Sequence, residues 1–162
     1  MFDKLDAYNL VANLVPGAAL TYALDFSDFP APPPSDIGAF LLVSFVAGVT
    51  ANRLGSLILD PLLRQWKFLR SKDYRAFLMR EKGDQKLDAL VANSGLYRTF
   101  FTAGLIYLIA VMAAPIVASI PGQTLFVFFV IAGMVVFLFA LRKEDGYIHS
   151  RIEAGKAPEA AE

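Results

Sequence analysis

Apolar residues gather into four long runs, at about 7–24, 37–59, 100–120 and 124–141, and most polar residues fall between them. A helix needs about 20 residues to cross a hydrocarbon core about 30 Å thick, with 17 to 25 the usual range. All four runs meet that length, so the pattern predicts an all-α protein with four transmembrane helices. The first run is the most interrupted, because Asn9 and Asn13 lie within it.

The connections differ in character. Residues 25–36 contain four prolines and carry charge only as Asp25, Asp28 and Asp36, which marks a short exposed link. Ser119 to Gln123 reads as a tight uncharged turn around Pro121-Gly122. The stretch from Asp60 to Thr99 is rich in Lys and Arg instead, and Arg142-Lys143 follows the fourth run. Basic residues flanking spans stay on the cytoplasmic side. The asymmetry therefore predicts both termini and the 60–99 loop inside, in a multi-pass protein of the bacterial inner membrane.

That loop is too long and too patterned for a plain connector. Leu62, Trp66 and Leu69 recur at helical spacing, followed by Tyr74, Phe77 and Leu78, with Gly83-Asp84 as a break. Residues from Lys86 to Tyr97 are expected to form a short helix leading into the third span. The last ten residues, from Glu153, are rich in Ala and Glu and read as disordered. No internal repeat stands out, and the chain reads as a single membrane domain over 1–162.

Composition supports the membrane over water. At 56% hydrophobic residues in a chain of 162, there is more apolar surface than so small a water-facing domain can bury. Formal net charge is zero, which gives no reason to look for a polyelectrolyte partner of the whole chain. The absence of Cys excludes disulfides, thiolate metal sites and a Cys nucleophile, and a single His excludes imidazole clusters. Lys4 is the only basic residue before the first run, and no A-x-A-like cleavage site follows, so the N-terminus is expected to be retained.

The first run carries the most informative polar pattern. Asp6, Asn9, Asn13, Gly17 and Thr21 are spaced 3, 4, 4 and 4 apart, which aligns them on one helix face, and Asp3 extends the line outward. An unsatisfied polar group in hydrocarbon costs several kcal/mol, so this face must meet another helix, a symmetry mate or water. Two readings compete. The amides are interhelical glue within one bundle, each bond contributing about 0.6 kcal/mol. Alternatively, several copies bring the face to an axis, lining a pore with Asn9, Asn13, Gly17 and Thr21 and ringing its mouth with Asp3 and Asp6. Pro16 beside Gly17 adds a kink suited to bending or gating.

The second run places Ser44, Gly48, Asn52 and Ser56 four residues apart, a small face that lets helices approach closely. Arg53 lies about two turns inside its end and must snorkel, pair or face water. Its candidate partners are Asp60, two turns on, and Asp3 or Asp6 of a neighbouring helix, which would couple a pore mouth to the loop.

In the loop, Arg64, Lys67, Arg70, Lys72 and Arg75 interleave with Trp66, Phe68 and Tyr74. The mix suits an anionic lipid surface, a nucleotide or nucleic acid held by phosphate contacts and stacking, or a cytoplasmic partner protein. Catalysis finds no carrier: His149 lies in the polar tail, and no Gly-rich phosphate loop, HExxH or GxSxG motif occurs. Neither an enzyme nor a cofactor is expected.

Tyr8-Asn9-Leu10 and Val15-Pro16-Gly17, with four spans and a basic middle loop, resemble small membrane proteins of bacterial anti-phage defence loci, the Hailong-type membrane effectors among them. The resemblance implies an oligomeric ion channel, tetrameric, controlled by single-stranded DNA oligomers made by a partner nucleotidyltransferase. Carried over, it implies an acidic ring at Asp3 and Asp6, a polar lining at Asn9 and Asn13, and a ligand site among the basic residues of the loop. From a different class, a non-conducting scaffold or sensor that recruits a cytoplasmic partner through 60–99 fits the same residues. Transport of a small solute at an oligomer's central site is a third possibility.

Overall fold

The computed structural model describes residues 2–27, 36–70, 85–113 and 123–153; for 2–9, Gln85 and Gln123 the helical backbone alone is described. The described residues are all-helical, with no strand. Helix α1 covers Phe2–Phe26 and α2 Ile37–Leu54; a π-helical turn, Gly55–Leu59, joins α2 to α3, Asp60–Gln65. Helix α4 covers Gln85–Ala113 and α5 Gln123–Glu153.

Three of these stretches are long and apolar enough to cross a membrane: Ile37–Gln65, Lys86–Ala113 and Thr124–Glu153. The apolar part of α1 with described side chains, Leu10–Phe26, is shorter. At 1.5 Å per residue, the 29 residues of Ile37–Gln65 extend roughly 43 Å, well beyond a 30 Å core. The helices thus outrun the apolar runs that predict them. α5 does not stop near Leu141 but continues through Arg142 and Lys143 to Glu153, and the short helix expected over 86–97 is the opening of α4 itself. Once a helix has left the bilayer, its polar turns still propagate at little cost, because only nucleation is unfavourable.

α1 and α2 form one antiparallel pair and α4 and α5 the other, with α4 packed on both helices of the first pair. Asp36 caps α2 by accepting the Ala39 backbone N–H at 2.8 Å. Leu20, Ala23, Ala51, Ala103 and Tyr107 form the central core, and Leu59, Leu63, Leu69 and Leu141 a second cluster at the charged end. At the opposite end the buried Ser27 and Tyr107 hydroxyls meet at 2.9 Å. The outward faces stay apolar, including Leu42, Val46, Leu57, Phe128, Val136 and Phe139, each more than half exposed. Soluble monomers rarely show so large an apolar surface. Lipid is the solvent this surface fits, as in a membrane-spanning protein.

The loop begins differently from the helical pattern expected for it. α3 ends at Gln65, and Lys67 takes a left-handed φ of 56°. The Phe68 N–H donates to the Leu63 carbonyl at 2.9 Å and the Lys67 N–H to the Arg64 carbonyl at 3.0 Å. This pair of bonds is a Schellman motif, a helix stop that normally takes Gly where Lys67 stands. It turns the chain back, so Leu69 is buried while Trp66 is 68% exposed, and the two do not share a helix face. The continuation of that pattern, Tyr74, Phe77 and Leu78, lies outside the described residues, as do 154–162 of the tail.

Candidate functional site: a polar chain between four helices

The two small-residue faces read from the first and second runs pack against each other. A Cβ on Gly17 would lie 1.8 Å from the Ser44 carbonyl oxygen, and one on Gly48 would lie 1.8 Å from the Asn13 carbonyl oxygen. Backbone therefore touches backbone at this crossing, which glycine alone permits. Pro16 is fully buried beside it, and α1 passes through Pro16 without ending.

This close approach brings the amides together. Asn52 Nδ2 donates to Asn13 Oδ1 at 2.9 Å, and Asn52 Oδ1 accepts from an Arg98 guanidinium NH2 at 3.1 Å. The other terminal nitrogen of Arg98 donates to Asp60 Oδ2 at 2.9 Å. A guanidinium only donates, so it fixes the amide of Asn52 oxygen-first and leaves the NH2 for Asn13. The result is one directed chain, Asp60–Arg98–Asn52–Asn13, running from the charged end into the bundle between α3, α4, α2 and α1. Thr21 Oγ1 on α1 and Ser44 Oγ on α2 are also buried without hydrogen-bond partners, as is Arg98 Nε on α4.

The π-helical turn makes the chain possible. In an uninterrupted α-helix, residues eight apart such as Asn52 and Asp60 point roughly 80° apart. The extra residue of a π turn cancels one 100° step, leaving them roughly 20° apart, both facing Arg98. Gly55 opens this turn, where a Cβ would stand 2.6 Å from Thr102 Oγ1 and 3.0 Å from Arg98 Cγ. The same shift leaves Asp60 roughly 120° from Arg53, where an ideal helix would have aligned them within roughly 20°. The expected Arg53–Asp60 link is accordingly not what forms. Arg53 is exposed on the outer face of α2, in the position of a snorkelling cation, and Asp60 takes Arg98.

The basic residues of the loop are also divided. Arg64 donates to Asp145 of α5 at 3.3 Å and to the carbonyl of Arg70, and the Arg70 backbone N–H donates to the other Asp145 oxygen at 2.7 Å. Arg64 is thus occupied in pinning the 66–70 turn to α5. Phe68, on the same turn, lies under the Arg142 guanidinium at 4.9 Å. Trp66, Lys67 and Arg70 expose their side chains, while Lys72 and Arg75 lie outside the described residues. Among the predicted lining residues, Asn13, Gly17 and Thr21 turn toward the interior of one chain. Asp3, Asp6 and Asn9 belong to α1, with no described side chains.

Sequence reasoning passed over Arg98 and Asp145. Arg98 stands alone in an apolar stretch and Asp145 sits among Arg142, Lys143 and Glu144, and the available signal was the need for a partner: a carboxylate at a span's end, such as Asp60, implies a cation on a facing helix. Among the described residues no three of His, Asp and Glu lie close enough to share a metal ion. Comparison with protein-family models, curated proteins and solved structures finds no match to this chain.

Proposed function

We propose that the chain is a gated, oligomeric ion-conducting pore of the bacterial inner membrane, acting as a defence effector that breaches membrane integrity, with both termini and the 60–99 loop on the cytoplasmic side. The observation that carries the reading is the chain Asp60–Arg98–Asn52–Asn13. A bundle that needed only stability would do as well with apolar packing here, since a buried ion pair is often no better than its apolar counterpart. Ionisable groups within spans mark ion paths, relays and switches. In this reading the polar face of α1 is held shut against α2, and the Asp60–Arg98 pair links that closure to the base of the loop. The Asn13–Asn52 bond contributes only about 0.6 kcal/mol, so the packing of the α1–α2 seam, more than this bond, is what a cytoplasmic ligand on Trp66, Lys67 and Arg70 has to offset.

The test is conductance of the purified full chain in planar bilayers, with its oligomeric state measured in parallel. The expected result is an oligomer, tetrameric by preference, with discrete current steps whose open probability rises in Asn52→Leu. A monomer, or an oligomer that passes no current with or without short single-stranded DNA, overturns the proposal. The loop is tested with Lys67→Ala/Arg70→Ala, which spares the Arg64–Asp145 contact; DNA binding equal to wild type removes the ligand site. The second reading, a non-conducting scaffold or sensor, is favoured by one observation: Asn13 finds its partner within its own chain.

A further inference from the structure

Between α1, α4 and α5 the bundle leaves a cavity of about 290 Å³. Its walls are small, Ala23, Ala103, Gly104 and Gly133, and the stacked rings of Phe100 and Phe137, 4.6 Å apart, stand at one end. At the other end is Tyr107, whose hydroxyl already meets Ser27 at 2.9 Å. At the rim, Ala19 of α1 and Phe129 of α5 are exposed, so the cavity opens sideways at the depth of the hydrocarbon.

Chemistry and size select the occupant. Ordered water needs two to four polar partners, and this lining presents apolar side chains with its one hydroxyl engaged. Along α5 the cavity extends from Phe129 to Phe137, roughly 12 Å at 1.5 Å per residue. A helix with its side chains is at least 10 Å across and needs an open face, not a cavity of about 290 Å³ between three packed helices. A single hydrocarbon chain can enter it. We propose that the cavity is a binding site for one acyl chain of a membrane phospholipid, entering between α1 and α5. The site requires that the protein span the bilayer, and it stands whether or not an oligomer conducts.

Gly133 gives a clean test, because a Cβ placed there meets nothing within 4 Å. Gly133→Leu fills the cavity without displacing a neighbour, and Ala132→Leu adds the same bulk at the adjacent exposed position. The full chain is reconstituted in phosphatidylethanolamine/phosphatidylglycerol vesicles containing a phospholipid with a diazirine on its acyl chain, photolysed, and the adducts are mapped. Labelling is expected to concentrate around Phe129 and Met134 in wild type and Ala132→Leu, to be competed by unlabelled phospholipid, and to fall at least fivefold in Gly133→Leu. Labelling that resists competition in wild type, or that spreads evenly to outward residues such as Val136 and Phe139, overturns the site without any variant. Because the chain has no Cys, Gly133→Cys adds one unique thiol. A disulfide-linked dimer through it would assign the cavity to a second copy and overturn the lipid assignment.

Discussion

Replacing Arg98 by Met removes the hub of the polar chain while keeping most of the side-chain volume. Two contacts go: the 2.9 Å ion pair with Asp60 and the 3.1 Å bond to Asn52. Removing one partner of a buried pair typically costs 3–5 kcal/mol, because the other charge loses its counter-ion. Here the Arg98 and Asp60 side chains retain 18% and 14% exposure, so water and headgroups relieve part of that penalty. Adding about 0.6 kcal/mol for the lost amide bond, we predict a net destabilisation of about 2–3 kcal/mol. That is roughly a 30- to 150-fold change in the folding equilibrium.

The assay is reversible unfolding in mixed micelles followed by circular dichroism, run as a double-mutant cycle with Asp60→Leu. Arg98→Met/Asp60→Leu is expected to be more stable than the sum of the two single losses implies, with a coupling of about 1.5 kcal/mol or more, since the second change removes the carboxylate that has lost Arg98. A coupling below about 0.5 kcal/mol would mean that the two side chains act independently, and would refute the reasoning.

Three further outcomes follow from local geometry. Gly17→Leu drives a side chain into the Ser44 carbonyl, where backbone cannot give way, and should cost more than about 3 kcal/mol or abolish folding; Gly146→Ala, whose Cβ meets nothing within 4 Å, should be neutral or slightly stabilising in the same unfolding assay. Lys67→Gly should raise stability by about 1 kcal/mol, because Lys holds a left-handed φ of 56° that glycine adopts without strain, while Lys67→Ala should not; thermal unfolding of the three proteins side by side checks the order.

What the sequence makes legible here is face and period; what it hides is register. The stripe through Asn13 and Gly17 and the stripe through Ser44, Gly48 and Asn52 are each plain at four-residue spacing, and each implies a close neighbour. Nothing in either stripe says that the neighbour is the other one. That follows from the short 27–36 connection, which makes α1 and α2 adjacent and antiparallel, together with the matching of two backbones that only glycine brings into contact. The π turn is harder still to foresee, because Gly55 to Leu59 is an ordinary apolar stretch whose hydrophobic pattern tolerates one extra residue. Yet that residue decides which cation Asp60 meets: a regular helix aligns Asp60 with Arg53, and the π turn gives it to Arg98 on α4. The consequence is mechanical. If the π turn relaxed to α geometry, Asp60 would swing back toward Arg53 by roughly 100° and Asn52 and Asp60 would no longer share Arg98. A one-residue change of register in α2 is therefore sufficient to part Asp60 from Asn52 and leave Arg98 with only one of them; in the gated pore proposed above, this turn is the two-state element.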